Sequence, residues 1–434
     1  MKKSVVWAAI ALMMATAITG CTLDSDSETT DPVFVICPDG SDSTLTNEDN
    51  ELKYISLTRT EQELVNNNND FAFNLFREIM NKQTREQSEI ISPISITYAL
   101  GMLNNGAAGD TQKQINKVLG FGEAGTDGIN DFCKKMLTEA SNLDKLTKVM
   151  IANTIYMNQG YQLNTDFVNK AKIYYDAEPE TRNFADGKTR EVINKWGSDH
   201  TQGMIPEVLK ENEFDPTSIS YLLNAIYFKG AWAERFDKGN TKDETFKGYN
   251  AKKQVPMMSQ EHEFNYQENE LCQALCLPYG NNAYRMTILL PKEGKTISDV
   301  LKTLTARTWQ NYLWMDGAIV DVKLPRFESE SDVKLEDIMS TLGMPNAFNP
   351  NQAEFPNFCN KPTFISMMKQ VAKIKLNEEG TEAAAITVIG MKDSSSGVPS
   401  EPLHVSFHAT RPFLYVISEQ STGTIFFIGK YVGD

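Results

Sequence analysis

The chain has 434 residues, 41% of them hydrophobic, and a formal net charge of -15. This composition is that of a globular protein with a large core, and its acidity argues against nucleic acid as a partner, because nucleic-acid binding needs a basic footprint. The six cysteines and four histidines show no zinc-site spacing, so neither a metal nor another cofactor is expected.

The first twenty residues have the pattern of a secretory signal. Two lysines precede an apolar run, and small residues stand immediately before Cys21. The run is too short for a permanent membrane span. The sequence ITGC, which ends at Cys21, resembles the bacterial lipoprotein signal, in which the cysteine is acylated and becomes the new N-terminus. We therefore predict a lipoprotein signal peptide over residues 1–20 and lipidation of Cys21. An ordinary secretory cleavage near Cys21 is the alternative.

Residues 21–54 form an acidic segment. Nine acidic and no basic residues lie between Thr22 and Glu51, among many Ser, Thr and Asn residues. This composition predicts a disordered tether. Acidic residues close behind a lipidated cysteine resemble the surface-export signals of some bacterial lipoproteins. The expected location is therefore the bacterial cell envelope, with a lipid anchor in the membrane and exposure on the outer-membrane surface as one option.

Helical patterns dominate the first part of the folded body, which we place at residues 55–434. The segment NDFAFNLFREIM has apolar residues on one face at the helical period, namely Phe71, Ala72, Leu75, Phe76 and Ile79. Ser92 and Pro93 are typical of the cap and the first turn of a second helix. A third helix is predicted over residues 111–119, and it ends at Gly120.

Strand-like runs dominate the later part, for example YRMTILLP, AIVDVKLPRF and TIFFIGKYV. Helices that come mainly first and strands that come mainly later predict an α+β fold rather than alternating βαβ units. Cys272 and Cys276 lie in one of the predicted strands, at a spacing that places both on the same side. We interpret them as small core residues.

Motifs of catalysis are almost absent. The sequence contains no nucleophile elbow, no HExxH helix, no P-loop and no dinucleotide fingerprint. Ser366 and Lys369 match the Ser-x-x-Lys pattern of penicillin-binding enzymes, but the accompanying Ser-Asp-Asn and Lys-Thr-Gly elements are missing. A chance match is therefore favoured over a serine hydrolase, and the chain is not expected to be an enzyme.

Several blocks of sequence resemble the serpins, inhibitors that trap serine or cysteine proteases by changing shape: ISPISITYALGMLNNGAAGDT, LLNAIYFKGAW, NEEGTEAAAIT, RPFLYVI and TIFFIGKYV. The likeness runs from about residue 71 to residue 432 in the family's order. It implies a monomer with helices packed on three β-sheets and an exposed C-terminal reactive loop. It also implies a partner, a protease that forms an acyl-enzyme with the loop before the cut loop inserts into the large central sheet.

Matched residue by residue, the hinge of the reactive loop comprises Glu378, Glu379, Gly380, Thr381, Glu382, Ala383, Ala384, Ala385 and Thr387. Alternate residues of an inserted strand turn into the core. Thr381, Ala383, Ala385 and Thr387 form this inward set, and all four are small and uncharged. Gly380 lacks a Cβ and leaves the turn free to swing. This composition favours an inhibitor over the alternative, a non-inhibitory serpin-fold binding protein.

The resemblance also implies two sites at which the sheet opens. Trp232 matches the tryptophan near the top of the sheet, where insertion begins. A polar cluster beneath the parting strands matches Ser92, Ser95, Asn224 and Gln370. Gln370 stands where the family usually has a histidine. Glutamine can both donate and accept hydrogen bonds, so the cluster can persist, but the ease of sheet opening is left undecided.

The scissile bond is placed by counting. The family's usual fourteen residues beyond Gly380 lead to the bond between Ser394 and Ser395. Counting back from RPF instead ends about seven residues later, so a longer loop is expected. A trypsin-like enzyme would prefer the alternative bond between Lys392 and Asp393. The sequence does not identify the target protease.

Overall fold

The computed structural model describes residues 51–381 and 403–434, and the backbone of two short strands before them. The α-helices of this part of the chain are α1 Arg59–Lys82, α2 Pro93–Asn104, α3 Gly109–Val118, α4 Gly125–Ala140, α5 Thr165–Tyr175, α6 Lys188–His200, α7 Ile297–Thr303, α8 Ala306–Leu313 and α9 Glu336–Leu342. The strands are β1 Val33–Ile36, β2 Asp42–Leu45, β3 Glu89–Ile91, β4 Thr147–Asn158, β5 Glu180–Arg182, β6 Ser220–Ala231, β7 Lys242–Lys247, β8 Lys252–Glu268, β9 Cys272–Tyr279, β10 Tyr284–Pro291, β11 Asp316–Pro325, β12 Phe327–Lys334, β13 Met367–Asn377, β14 Gly380–Thr381, β15 His404–His408, β16 Phe413–Glu419 and β17 Ile425–Tyr431.

The first helices form for the local reasons that the sequence indicates. A capping box of Thr58 and Glu61 opens α1, and the five apolar residues predicted to share a face are all buried. Helix α2 begins at the Ser92 cap, with Pro93 in its first turn, and it is buried along its whole length, as expected of a helix that is apolar on all sides. Helix α3 ends just before Gly120, whose φ is 85°.

Two large sheets carry the fold. A six-stranded sheet has the order β12-β13-β14-β6-β4-β5, with an additional pairing of β13 with β6. A nine-stranded sheet has the order β15-β11-β8-β9-β10-β16-β17-β3, with β7 beside β8. The long strand β8 pairs with β7 and β11 and, at its C-terminal end, with β9. The strands β15, β11 and β7 on one side and β9, β10, β16, β17 and β3 on the other are therefore joined through β8 into one sheet, so the structure has two large sheets where three sheets were expected.

The main hydrophobic core lies between the sheets and α2, and a smaller core lies on the outer face of the six-stranded sheet, under α6. Cys272 and Cys276 are buried free thiols on β9, which confirms their interpretation as core residues. Burial raises the pKa of both thiols. No group of His, Cys, Asp or Glu residues within the described ranges could hold a metal ion.

The N-terminal part is described only in pieces. Strands β1 and β2 form an antiparallel pair inside the predicted tether, and the carbonyl of Glu51, the first residue of the described body, accepts a hydrogen bond from the side chain of Asn281. None of the helices that the structure describes is long and apolar enough to cross a membrane. Cys21 lies outside the described residues, so its lipidation stays a prediction.

Candidate functional site: the seam between β6 and β13

The candidate site is the seam between the neighbouring strands β6 and β13. Their parallel pairing extends from Tyr221 and Met367 to Ile226 and Ala372. Beyond this point β14 lies between them, because Gly380–Thr381 pairs with Ala231 and Gly230 on one side and with Asn377 and Leu376 on the other. The first two residues after the hinge glutamates are thus already part of the sheet, as the beginning of an extra antiparallel strand.

Gly380 is required at this position by two features of the backbone. Its φ is 143°, in the region that side chains disfavour. A Cβ built on it would lie 2.1 Å from the carbonyl oxygen of Gly230, far inside contact distance. The sequence explained this glycine by the freedom of the turn. The structure adds a close approach to the neighbouring strand.

Thr381 and Trp232 both contact Tyr279 at the top of the seam. The Thr381 side chain is fully buried, and its hydroxyl lies 2.7 Å from the hydroxyl of Tyr279. The ring of Tyr279 stacks on Trp232 with a centroid distance of 4.5 Å. The indole nitrogen of Trp232 donates a hydrogen bond of 3.0 Å to the carbonyl of Asn377, the last residue of β13. Trp232 therefore holds the end of β13 at the entrance of the seam.

The two hinge glutamates are anchored by different segments. Glu378 is 2% exposed and contacts Arg326, and the hydroxyl of Thr241 donates to its carboxylate at 2.7 Å. Burial alone would raise the pKa of Glu378, but the hydrogen bonds from Arg326 and Thr241 outweigh it and hold the pKa below its ordinary value. Glu379 accepts a hydrogen bond of 2.5 Å from Lys238.

Sequence reasoning named both glutamates but not their partners. Arg326 lies 52 residues from Glu378, and Lys238 lies 141 residues from Glu379. No local pattern connects positions so far apart, because the contact depends on how the strands between them are arranged.

The polar cluster predicted beneath the strands is assembled in the structure. The Gln370 side chain accepts a hydrogen bond from the amide of Ser92 at 2.9 Å and donates to the carbonyl of Ser92 at 3.0 Å and to the side chain of Asn224 at 2.6 Å. Asn224 in turn donates to the carbonyl and the hydroxyl oxygen of Ser95 and to the side chain of Asn153 at 2.6 Å. Gln370 thus uses both ends of its amide in place of the expected histidine. Asn153, on β4, was missed by the sequence reasoning.

The comparisons with known proteins agree with this geometry. The family description Serpin (serine protease inhibitor) matches residues 66–433. Serpin B6 of Macaca fascicularis is 33% identical over 378 residues, which cover 85% of this chain and 98% of that protein. The chain belongs to the serpin family. It is a family of protease inhibitors, and the α+β serpin fold expected from the sequence is confirmed.

Two solved serpin structures show the same architecture. The thermophilic serpin tengpin in its native state has a TM-score of 0.78 at 27% identity, with 88% of this chain and 97% of that chain covered. Human thyroxine-binding globulin in complex with thyroxine also has a TM-score of 0.78 at 27% identity, with 86% and 99% covered.

Part of the serpin site lies outside the described residues. This applies to the later hinge residues and to both candidate scissile bonds, namely Glu382, Ala383, Ala384, Ala385, Thr387, Lys392, Asp393, Ser394 and Ser395. Their roles stay predictions.

The Ser-x-x-Lys match has a structural role instead of a catalytic one. The hydroxyl of Ser366 accepts a hydrogen bond from the amide of Ile219 at 3.1 Å. The ammonium group of Lys369 lies 2.6 Å from Glu213 and 2.7 Å from Asp332. Both side chains are thus engaged in structural contacts, which supports the interpretation as a chance match.

Proposed function

We propose that this serpin is a suicide-type inhibitor of serine proteases, with cysteine proteases as possible further targets. The observation that carries the proposal is the position of Gly380 and Thr381 between β6 and β13. A strand that has begun to form in the seam defines both where a cut loop would insert and in which register. The small, uncharged inward set of the hinge supports the same function.

The register of β14 can be continued through the seam. Because Thr381 lies opposite Gly230 and Leu376, an uninterrupted antiparallel strand would place Thr387 opposite Asn224 and Gln370. Its hydroxyl would then enter the polar cluster. The inward alanines would face the core, with Ala383 opposite Phe228 and Ile374 and Ala385 opposite Ile226 and Ala372. Their small side chains would add little volume to this packed interior.

The length of the seam is compatible with both candidate scissile bonds, and we propose the bond after Ser394 from the family's usual count of residues beyond Gly380. Strand β13 begins at Met367 and β6 begins at Ser220, so the same register allows pairing up to about residue 390. A bond after Ser394 lies a few residues beyond this end, which leaves a short connection to the attached protease. A bond after Lys392 would leave a shorter one.

The chemistry follows from this arrangement. The serine oxygen of the protease attacks the carbonyl carbon of Ser394, the bond to the nitrogen of Ser395 breaks, and that nitrogen takes up a proton and leaves. The ester that remains moves with the inserting strand. Thirteen steps from Thr381 to Ser394 correspond to about 45 Å at about 3.4 Å per residue. Distortion of the oxyanion hole of the displaced protease then prevents hydrolysis of the ester.

The test is complex formation. The full chain is incubated with a trypsin-like, an elastase-like and a subtilisin-like protease, and the products are separated in SDS. An SDS-resistant complex is expected with at least one of them, and mass spectrometry of the released loop fragment identifies the scissile bond. Cleavage of the loop by all three proteases without any resistant complex would refute inhibition.

A binding protein without inhibitory activity is the second candidate. The observation that favours it is the similarity to thyroxine-binding globulin, a serpin whose solved structure contains the small molecule thyroxine. The melting temperature before and after cleavage of the loop separates the two candidates. A large rise on cleavage is expected of an inhibitor, because the cut loop adds a strand to the sheet. An unchanged melting temperature favours the binding protein.

For the location, we propose a lipid anchor on Cys21 that holds the protein at the bacterial cell envelope and exposes it to proteases outside the cell. The signal pattern before Cys21 and the acidic segment behind it support this proposal. The Cys21→Ala protein is expected to lose its partition into membranes. A variant that still fractionates with membranes would rule out the lipid as the anchor.

A further inference from the structure

A buried lysine lies on the outer face of the seam. The side chain of Lys369 on β13 is 0% exposed, and its ammonium group is held by Glu213 at 2.6 Å and by Asp332 at 2.7 Å. Two further pairs complete the network, since Lys334 lies 3.3 Å from Glu213 and Lys210 lies 2.6 Å from Asp332. Each buried charge thus has partners, as buried charges require.

The network joins parts of the molecule that belong to different sides of the seam. Glu213 lies in a single 3-10 turn of the segment between α6 and β6, so the chain itself connects it to β6. Lys369 lies on β13, and Asp332 lies on the neighbouring strand β12. The contact from Glu213 to Lys369 therefore bridges the β6 side and the β13 side.

Apolar side chains cover the seam at the same place. Tyr221 and Leu223 of β6 pack in one cluster with Met367 and Val371 of β13, under α6 and the segment that follows it. Lys369 lies between Met367 and Val371 along the strand and points to the same face. Its ion pairs are therefore enclosed by the packing that covers the seam.

Insertion of a strand separates these groups. Neighbouring strands lie about 4.8 Å apart, so a strand between β6 and β13 roughly doubles their separation. In the register of β14, Val388 would lie between Leu223 and Lys369. A pair with an N–O distance of 2.6 Å does not survive such a displacement unless the α6–β6 segment moves with β13.

We propose that Lys369 is a positioning residue that restrains the opening of the seam, because its ion pair with Glu213 ties the α6–β6 segment to β13 and β12. The inference rests on the proposed function and deepens it. Insertion of the cut loop competes with hydrolysis of the acyl-enzyme, so the rate at which the seam opens decides between inhibition and turnover as a substrate.

The chain provides a matched control on the same strand. Lys373 is paired with Glu328 at 2.7 Å and with Glu330 at 2.8 Å. Both carboxylates lie on β12, which stays with β13 when the seam opens. Loss of Lys373 therefore removes two ion pairs of similar length without removing a contact across the seam.

The experiment measures opening without a protease. A synthetic peptide with the sequence EAAAITVIGMK, residues 382–392, begins just after the chain's own Thr381 in β14. It is incubated with the uncleaved full chain, and its incorporation is followed by native gel electrophoresis. Lys369→Met and Glu213→Gln are each expected to accelerate incorporation about tenfold, which corresponds to about 1.4 kcal/mol. The double variant should gain little over Glu213→Gln alone, because Lys369→Met then removes no further contact across the seam. Lys373→Met should stay within about twofold of the unchanged protein.

Three outcomes would overturn the inference. Equal rates in all variants would show that the network does not restrain the seam, equal acceleration by all three changes would indicate general destabilisation, and no incorporation in any protein would show that the seam admits no strand. Should Lys369→Met fail to fold, Glu213→Gln measures the same contact from the other side. If incorporation follows the expected order but no protease complex forms, the restraint stands and the proposed inhibitory function fails.

Discussion

Replacement of Thr381 by arginine tests the inserted strand most directly. Thr381 is fully buried between β6 and β13, and its hydroxyl contacts Tyr279. The substitution would place a guanidinium in this position. Sequence reasoning alone expects an effect only after the loop is cut. Because β14 is already in the sheet, the structure predicts an effect on the intact protein as well.

The size of the effect of Thr381→Arg follows from the free energies that hold β14 in the sheet and the free energy that a buried charge costs. The pairings of β14 stabilise the inserted hinge by roughly 0.5–1.5 kcal/mol for each hydrogen bond, and the contact with Tyr279 adds about 1 kcal/mol. A buried, unpaired guanidinium costs several kcal/mol. The cost of burying the unpaired guanidinium exceeds these stabilising contributions, so β14 should leave the sheet in Thr381→Arg. In that variant residue 381 would have to enter the sheet after cleavage, and a barrier raised by about 3 kcal/mol would slow this insertion roughly a hundredfold.

The assay is the stoichiometry of inhibition, measured by titration of the protease that forms the SDS-resistant complex. The Thr381→Arg protein is expected to be cleaved as a substrate, with little complex on the gel. Thr381→Ser keeps the hydroxyl and the small size, so it serves as the matched control and should inhibit almost like the unchanged protein. Unchanged stoichiometry in Thr381→Arg would refute insertion of this residue into the core.

Three further predictions concern the entrance of the seam and the cluster beneath it. Gly380→Ala should destabilise the inserted hinge by at least about 1 kcal/mol, because φ is 143° and the new Cβ would collide with the carbonyl of Gly230. Faster hydrogen exchange of the backbone amides in β14 would show this destabilisation, and an unchanged exchange rate would contradict it. The pKa of Glu378 is lowered from 4.5 by Arg326 and its other partners. This carboxylate therefore stabilises the fold above about pH 4.5, and its contribution is lost as the pH falls through the folded-state pKa. The free energy of unfolding, measured against pH, should decrease less on acidification in Arg326→Met than in the unchanged protein. Gln370→Ala should lower the free energy of unfolding by about 1–3 kcal/mol, because it leaves buried hydrogen-bonding groups without partners. Denaturant titration measures this change, and a change near zero would contradict the structural role of the cluster.

The two faces of the seam are closed by different kinds of contact. Apolar packing under α6 closes the outer face, whereas Gln370 and Asn224 lie on the inner face with hydrogen bonds to α2 and its cap. Hydrogen bonds depend on direction and are lost after a small displacement, while apolar contacts fade gradually. Under the proposed function, in which the sheet opens around a new strand, the polar cluster would be disrupted by a smaller displacement than the apolar packing.

Much of this protein could be predicted from its sequence, because the signals are local. Helical periodicity identified the buried face of α1, and Ser92 and Pro93 marked the start of α2. Cys272 and Cys276 were assigned to the core from their strand-like surroundings. The hinge was recognised by its resemblance to the serpin hinge, and the run of small residues after Gly380 agreed with that resemblance.

The tertiary structure alone decided which distant groups meet. The partners of Glu378 and Lys369 come from segments that the chain order separates widely, and β8 pairs with both β11 and β9 within one sheet. The entry of Gly380 and Thr381 into the seam likewise depends on a space between β6 and β13. The physical reason is the same in each case. Propensity and periodicity act between neighbours in sequence, whereas ion pairs and strand partners depend on the path of the whole chain.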